Sequence, residues 1–153
     1  ETYRLTDAPL SPKPVHGTLP ILVGTGSPRM LRLTARWAEE WNTWGDPEEV
    51  GRRTGLFLAA CEAVGRDAGE LHRSAQAMVF FTPTAAARAA AQEHAVPGRS
   101  LVGDAQELID QLAQYRELGV DEFAIPDFTL GNSEAERRDT YAALHADVLS
   151  ALR

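Results

Sequence analysis

The chain has 153 residues, 44% of them apolar, and 15 lysines and arginines against 22 aspartates and glutamates give a formal charge of −7. That is one domain's worth of chain with room for a sizeable core, and its acidity, with no basic block longer than two residues, argues against nucleic acid and anionic membrane surfaces as partners. No apolar run approaches the roughly eighteen residues of a membrane span and no charged-then-apolar leader opens the sequence, so a cytoplasmic protein is expected.

Residues 1–18, with Pro9, Pro12, Pro14 and Gly17 and no periodicity, read as an extended arm or the remnant of a loop. Residues 19–153 read as strand-then-helix units. The first begins with Leu19–Val23 as strand, its apolar run Ile21-Leu22-Val23 expected to be buried on both faces. Gly24 and Gly26 then permit positive φ and close approach to the backbone. Ser27 stands at an N-cap position and Pro28 at the first helical position, so a helix is expected from Pro28 to about Glu40. The free amides of that helix face back into the glycine turn, where an anion would meet unpaired N–H groups and the positive end of a helix dipole. Gly24, Thr25, Gly26 and Ser27 are therefore a candidate phosphate cradle. The same turn also suits an α/β protein with no ligand.

Trp41-Asn42-Thr43 is the second strand, followed by Asp46 as cap and Pro47 as first residue of a helix to about Gly65. Leu71–Phe81 is the third strand, leading to the alanine-rich stretch Thr84–Ala95 and a break at Gly98. Gly103-Asp104 caps a helix carrying Leu108, Ile109, Leu112, Tyr115 and Leu118, which stops at Gly119. Glu122–Pro126 is the fourth strand, and the last helix runs from about Glu134 with Tyr141, Leu144, Val148, Leu149 and Leu152 inward.

Four βα units imply a parallel sheet covered by helices. The alternatives are an open doubly wound sheet with a ligand at its switch point, or part of a (β/α)8 barrel. A whole barrel takes about 250 residues, so four units make half of one.

Pro20-Ile-Leu-Val-Gly-Thr-Gly-Ser27, Arg29-Met-Leu-Arg-Leu33, Ala35-Arg36 and Ala38-Glu-Glu-Trp-Asn42 together resemble the C-terminal half of the bacterial luciferase-like monooxygenase superfamily. Val102-Gly-Asp-Ala-Gln-Glu-Leu-Ile109 and Leu118-Gly-Val-Asp-Glu-Phe-Ala-Ile-Pro126 resemble that family's last helix and last strand, so the likeness covers residues 14–152. It implies a TIM-barrel fold with these units as strands five to eight, and FMN or F420 as cofactor. It further implies that Gly24, Thr25, Gly26 and Ser27 receive the cofactor phosphate and that Asn42 contacts the ligand. The chain departs from the family pattern at Glu39 and Glu40, where Asp-Gly is usual, and in lacking strands one to four, which supply most contacts to the reactive ring and the acid/base residues. The implied function is a flavin- or F420-dependent oxidoreductase or monooxygenase, with this chain as the phosphate-binding half. The alternative is a non-catalytic half-barrel that associates with itself or with the missing N-terminal half, because open sheet edges and an uncovered interior call for a partner.

Other chemistry is sparse. His16, His72, His94 and His145 show no metal-ligand spacing, and Cys61 sits among apolar residues at helical spacing, as a packing residue does. Asp127 follows the fourth strand at its C-terminal end, where barrel enzymes place functional groups, and also suits a turn before Gly131. Thr43 stands beside Asn42 at a strand end, and Trp37, Trp41 and Trp44 are expected to pack.

Overall fold

The computed structural model describes residues 4–9 and 11–152. Glu1, Thr2, Tyr3, Leu10 and Arg153 lie outside the described residues, and the rest of 1–18 contains bends and turns without helix or strand.

Strand β1 (Leu22–Gly24) passes into helix α1 (Pro28–Trp37), and β2 (Glu40–Trp44) into α2 (Pro47–Val64). The third unit is an extended run interrupted at Ala77, giving β3 (His72–Gln76) and β4 (Met78–Phe81), and continues into α3 (Ala85–His94). A short strand β5 (Ser100–Gly103) leads into α4 (Ala105–Glu117), and β6 (Glu122–Ala124) is followed by α5 (Glu134–Asp147).

The helix starts follow from local chemistry. Asp46, Thr84, Asp104 and Ser133 each accept a bond from the backbone N–H three residues on, and Asp104 and Ser133 form complete capping boxes with Glu107 and Glu136. Gly65, at φ +71°, closes α2 in the left-handed conformation that a side chain resists.

Four strands lie in the order β1-β2-β3-β6, every pair parallel, while β4 pairs in parallel with β5. Period two divides the sheet into an outer face under helices and an inner face. On the outer face Trp41 packs with Leu31 and Ala35 of α1 and with Phe57 and Cys61 of α2. Ala75, Ala77 and Val79 pack there with Leu108, Leu112 and Tyr115 of α4 and with Leu144 and Val148 near α5. This is the layering of a (β/α)8 barrel opened to half its circumference.

Three expectations are corrected. Ile21 and Leu22 are 50% and 53% exposed rather than buried on both faces, because β1 is the edge of the sheet among the described residues. The first helix stops at Trp37, because the amides of Glu39 and Glu40 both donate to the Ile21 carbonyl at 3.0 and 3.1 Å and start a strand instead. Residues 100–103 form an unexpected strand, too short to show alternation in the sequence and defined by pairing with β4.

Tyr115 ties the layers together. Its buried hydroxyl donates to the Gly45 carbonyl at 2.6 Å, linking α4 to the loop between β2 and α2, and burial raises its pKa. Tyr115→Phe is expected to cost about 1–2 kcal/mol in urea unfolding, since the Gly45 carbonyl loses its partner in the interior.

Candidate functional site

Parallel pairing brings the C-terminal ends of the strands together, and the Gly24–Ser27 turn sits at that end. Gly24 is the register partner of Asn42. Neither Gly24 nor Gly26 adopts positive φ, so the left-handed freedom expected of them is unused. What Gly26 supplies is the missing side chain, because a Cβ there would lie 3.2 Å from Arg53 Nη1. A guanidinium can thus rest against the turn.

The backbone of Thr25 is engaged. Its N–H donates to the Asn42 carbonyl at 3.2 Å, extending the ladder past β1, and its carbonyl accepts from Trp41 Nε1 at 2.9 Å. The expectation of a free amide at Thr25 is therefore corrected, and the cradle begins one residue later. Ser27 occupies the N-cap in extended conformation, yet its hydroxyl accepts no capping bond, and the first turn of α1 holds no acid. The first α-helical bond is Leu31 N–H to the Ser27 carbonyl at 2.9 Å, so the amides of Arg29 and Met30 are among those a helix leaves without an internal partner. The other four α-helices each receive a side-chain cap. The start of α1 is electropositive, uncapped by its own chain and flanked by Arg53.

No local sequence signal marks Arg53, because it reaches the turn from the next helix. Its Nε donates to Glu49 at 2.6 Å and its Nη1 to Thr43 Oγ1 at 3.3 Å, which fixes the fork. The Thr43 side chain is thereby turned to the outer face, where it is buried and holds Arg53. Bonds from Arg52 and then Arg53 hold the Glu49 carboxyl down at about 2. A depressed pKa contributes stability that is complete above the ordinary carboxylate value of 4.5 and fades as pH falls toward 2. Acid titration of thermal stability is expected to show this loss, under about 1 kcal/mol for a pair so open to water, and Glu49→Gln is expected to remove it.

Inside the sheet a polar ladder runs toward the same end. Ser74 Oγ donates to Glu40 at 2.6 Å, Asn42 Nδ2 donates to Ser74 Oγ at 2.9 Å, and Gln76 Nε2 donates to Asn42 Oδ1 at 3.0 Å. Asn42 is thus next to the turn, but spends one N–H and its oxygen on neighbours. Glu39, one of the two departures from the family pattern, accepts from the Ile21 N–H at 2.7 Å and pins the entry to β1.

Remaining candidates fall elsewhere. Asp127 opens a short 3₁₀ turn, its carbonyl accepting from Leu130 N–H at 3.0 Å and its carboxylate 3.7 Å from Arg137, so its observed partners are those of a turn residue. Cys61 is buried, which pushes its thiol pKa up, away from nucleophilic use. Trp41 stacks on Phe57 while Trp37 lies exposed. Among the described residues no His, Cys, Asp or Glu cluster could hold a metal, and no helix is long and apolar enough to cross a membrane.

A parallel half-barrel with its glycine turn at the C-terminal ends of the strands defines a class, and sequence comparison narrows it. Residues 1–98 match the luciferase-like monooxygenase family, and the chain belongs to that family. No curated protein sequence matches it. Among solved structures it is similar to the coenzyme F420 dependent tetrahydromethanopterin reductase from Methanopyrus kandleri, at 12% identity and a TM-score of 0.69 over 88% of this chain and 51% of that one. It is also similar to an F420-dependent secondary alcohol dehydrogenase in complex with an F420-acetone adduct, at 15% identity and TM-score 0.63, covering 80% and 47%. The EDTA monooxygenase from Chelativorans sp. BNC1 gives 16% identity and TM-score 0.63, covering 95% and 47%. The chain spans about half the length of these structures.

Proposed function

We propose that this chain is the cofactor-phosphate half of a flavin- or F420-dependent oxidoreductase of the luciferase-like type. The observation that carries the reading is the uncapped start of α1 beside Arg53, with Gly26 giving the guanidinium its place. The amides of Gly26, Arg29 and Met30, the Thr25 and Ser27 hydroxyls and the free Nη2 edge of Arg53 would hold the phosphate. Asn42 would present its remaining amide hydrogen to the ligand. A bound flavin or deazaflavin supplies hydride transfer or, for a flavin, oxygen activation. The chain's own residues bind and orient that group, while Trp41 and the β1–β2 ladder hold the turn to the sheet. A single buried cysteine suits the reducing cytoplasm expected for such an enzyme.

Titrating the chain separately with FMN and F420 and following their fluorescence tests the reading. Saturable binding of one, competed by inorganic phosphate, is expected, and no saturable change with either contradicts it.

Exposure of Ile21 and Leu22 on an edge strand favours a second reading, in which the half-barrel associates with itself or with a partner chain carrying the complementary strands. Mass measurement in solution at low micromolar concentration decides whether it pairs with itself.

A further inference from the structure

Beyond Gln76 the inner face of the third strand continues through Met78 and Phe80, since Ala75, Ala77 and Val79 point into the outer core. There the polar ladder gives way to an apolar cavity of about 620 Å³, within the usual range for small-molecule sites. Met78 and Phe80 form one wall with Phe81 at its edge, and Ala87, Ala90 and Ala91 of α3 form another, their small side chains leaving the space between helix and strand unfilled. Phe128, 60% exposed, and Leu130 close a third side. Every wall comes from this chain, and the cavity lies past the C-terminal ends of β3 and β6, the end of the sheet that carries the Gly24–Ser27 turn.

Its chemistry is selective. No Asp, Glu, Lys or Arg lines it, in a chain that is 24% charged, and the polar groups present are His94, Asn132, Thr129 and Thr140. Thr129 is already spoken for, its Oγ1 donating to the Val79 carbonyl at 2.8 Å and bracing the 128–132 segment against β4. A ligand carboxylate would give up part of its hydration here with no lysine or arginine to receive it, whereas an aromatic or alkyl body gains contact with the rings of Phe80 and Phe128 and the Met78 thioether.

We infer that the cavity between α3, β4 and residues 128–132 binds an uncharged aryl or alkyl molecule bearing one hydrogen-bonding group. That the occupant is the substrate of the oxidoreductase rests on the reading given above; that the cavity binds such a molecule does not.

Two probes of one shape test it: neutral 2-acetonaphthalene and anionic 2-naphthoate, titrated into chain carrying ¹³C-methyl-labelled methionine, alanine, isoleucine and leucine. The expected result is saturable shifts at Met78, Ala87, Ala90 and Ala91 with the ketone, and affinity at least about tenfold weaker for the carboxylate. Ala87→Leu, which fills the cavity, is expected to weaken ketone binding about tenfold or more, and Phe128→Ala, at an exposed position with little folding cost, about threefold. Equal affinity for both probes, shifts centred on Ile21 and Leu22, or no effect of either substitution overturns the inference. Inorganic phosphate, followed at the Gly26 amide, reports the other site independently, so loss of one response with the other retained shows which claim has failed.

Discussion

Trp41→Ala is expected to destabilise the chain by about 3–5 kcal/mol in urea unfolding, a large part of the 5–15 kcal/mol that holds a typical domain together. The indole is 1% exposed and lies flat on Phe57, with ring centroids 4.4 Å apart and planes 8° from parallel. Around it Leu31, Ala35, Ala60 and Cys61 come from two helices packed against each other, so the void cannot close cheaply. The same substitution removes the Nε1 donor to the Thr25 carbonyl, leaving the turn tied to the sheet by the Thr25 N–H bond to Asn42 alone at that residue. Trp41→Phe keeps much of the packing and loses that bond, and is expected to cost clearly less. A loss below 1 kcal/mol for Trp41→Ala would mean that this cluster does not anchor the fold.

Arg53→Met is expected to weaken binding of the phosphate-bearing cofactor about tenfold to a hundredfold while leaving the phosphate-free ring compound unaffected. A bond from a charged donor is worth about 1.5–3 kcal/mol, which converts to that range. Methionine keeps the apolar stem of the side chain without the guanidinium, and Glu49 keeps Arg52 as its bidentate partner at 2.7 and 2.8 Å, so the fold is not the thing tested. Arg53→Lys, retaining charge without the fork, is expected to fall between. Equal weakening of FMN and riboflavin would place Arg53 outside the phosphate site.

The parts of the fold readable in the sequence were those set by local chemistry. Pro28, Asp46-Pro47 and Asp104 mark helix starts because caps and fixed φ act within three residues of where they stand. Parallel βα order follows from strands alternating with helices, and the family resemblance from the Pro20–Asn42 string. What stayed hidden depends on contacts far along the chain. Ser100–Gly103 becomes a strand only beside Met78–Phe81, and Ile21 and Leu22 are exposed because, among the described residues, no strand pairs with β1 on its outer edge. At the site, the turn residues were legible, but the capture of the Thr25 amide by Asn42 and the arrival of Arg53 from α2 were not. Both are products of the register between β1 and β2 and of the way α2 crosses the strand ends.

The central claim concerns a few backbone amides, and amide-resolved NMR reads them directly during titration with FMN, with F420 and with phosphate-free riboflavin. For at least one phosphate-bearing cofactor the amides of Gly26, Ser27, Arg29 and Met30 are expected to shift saturably, with Thr25 changing far less because its N–H is already bonded to Asn42, and riboflavin leaving all of them in place. Saturable cofactor binding that leaves Gly26 through Met30 unmoved, or that moves them equally with riboflavin, would contradict a phosphate held at this turn.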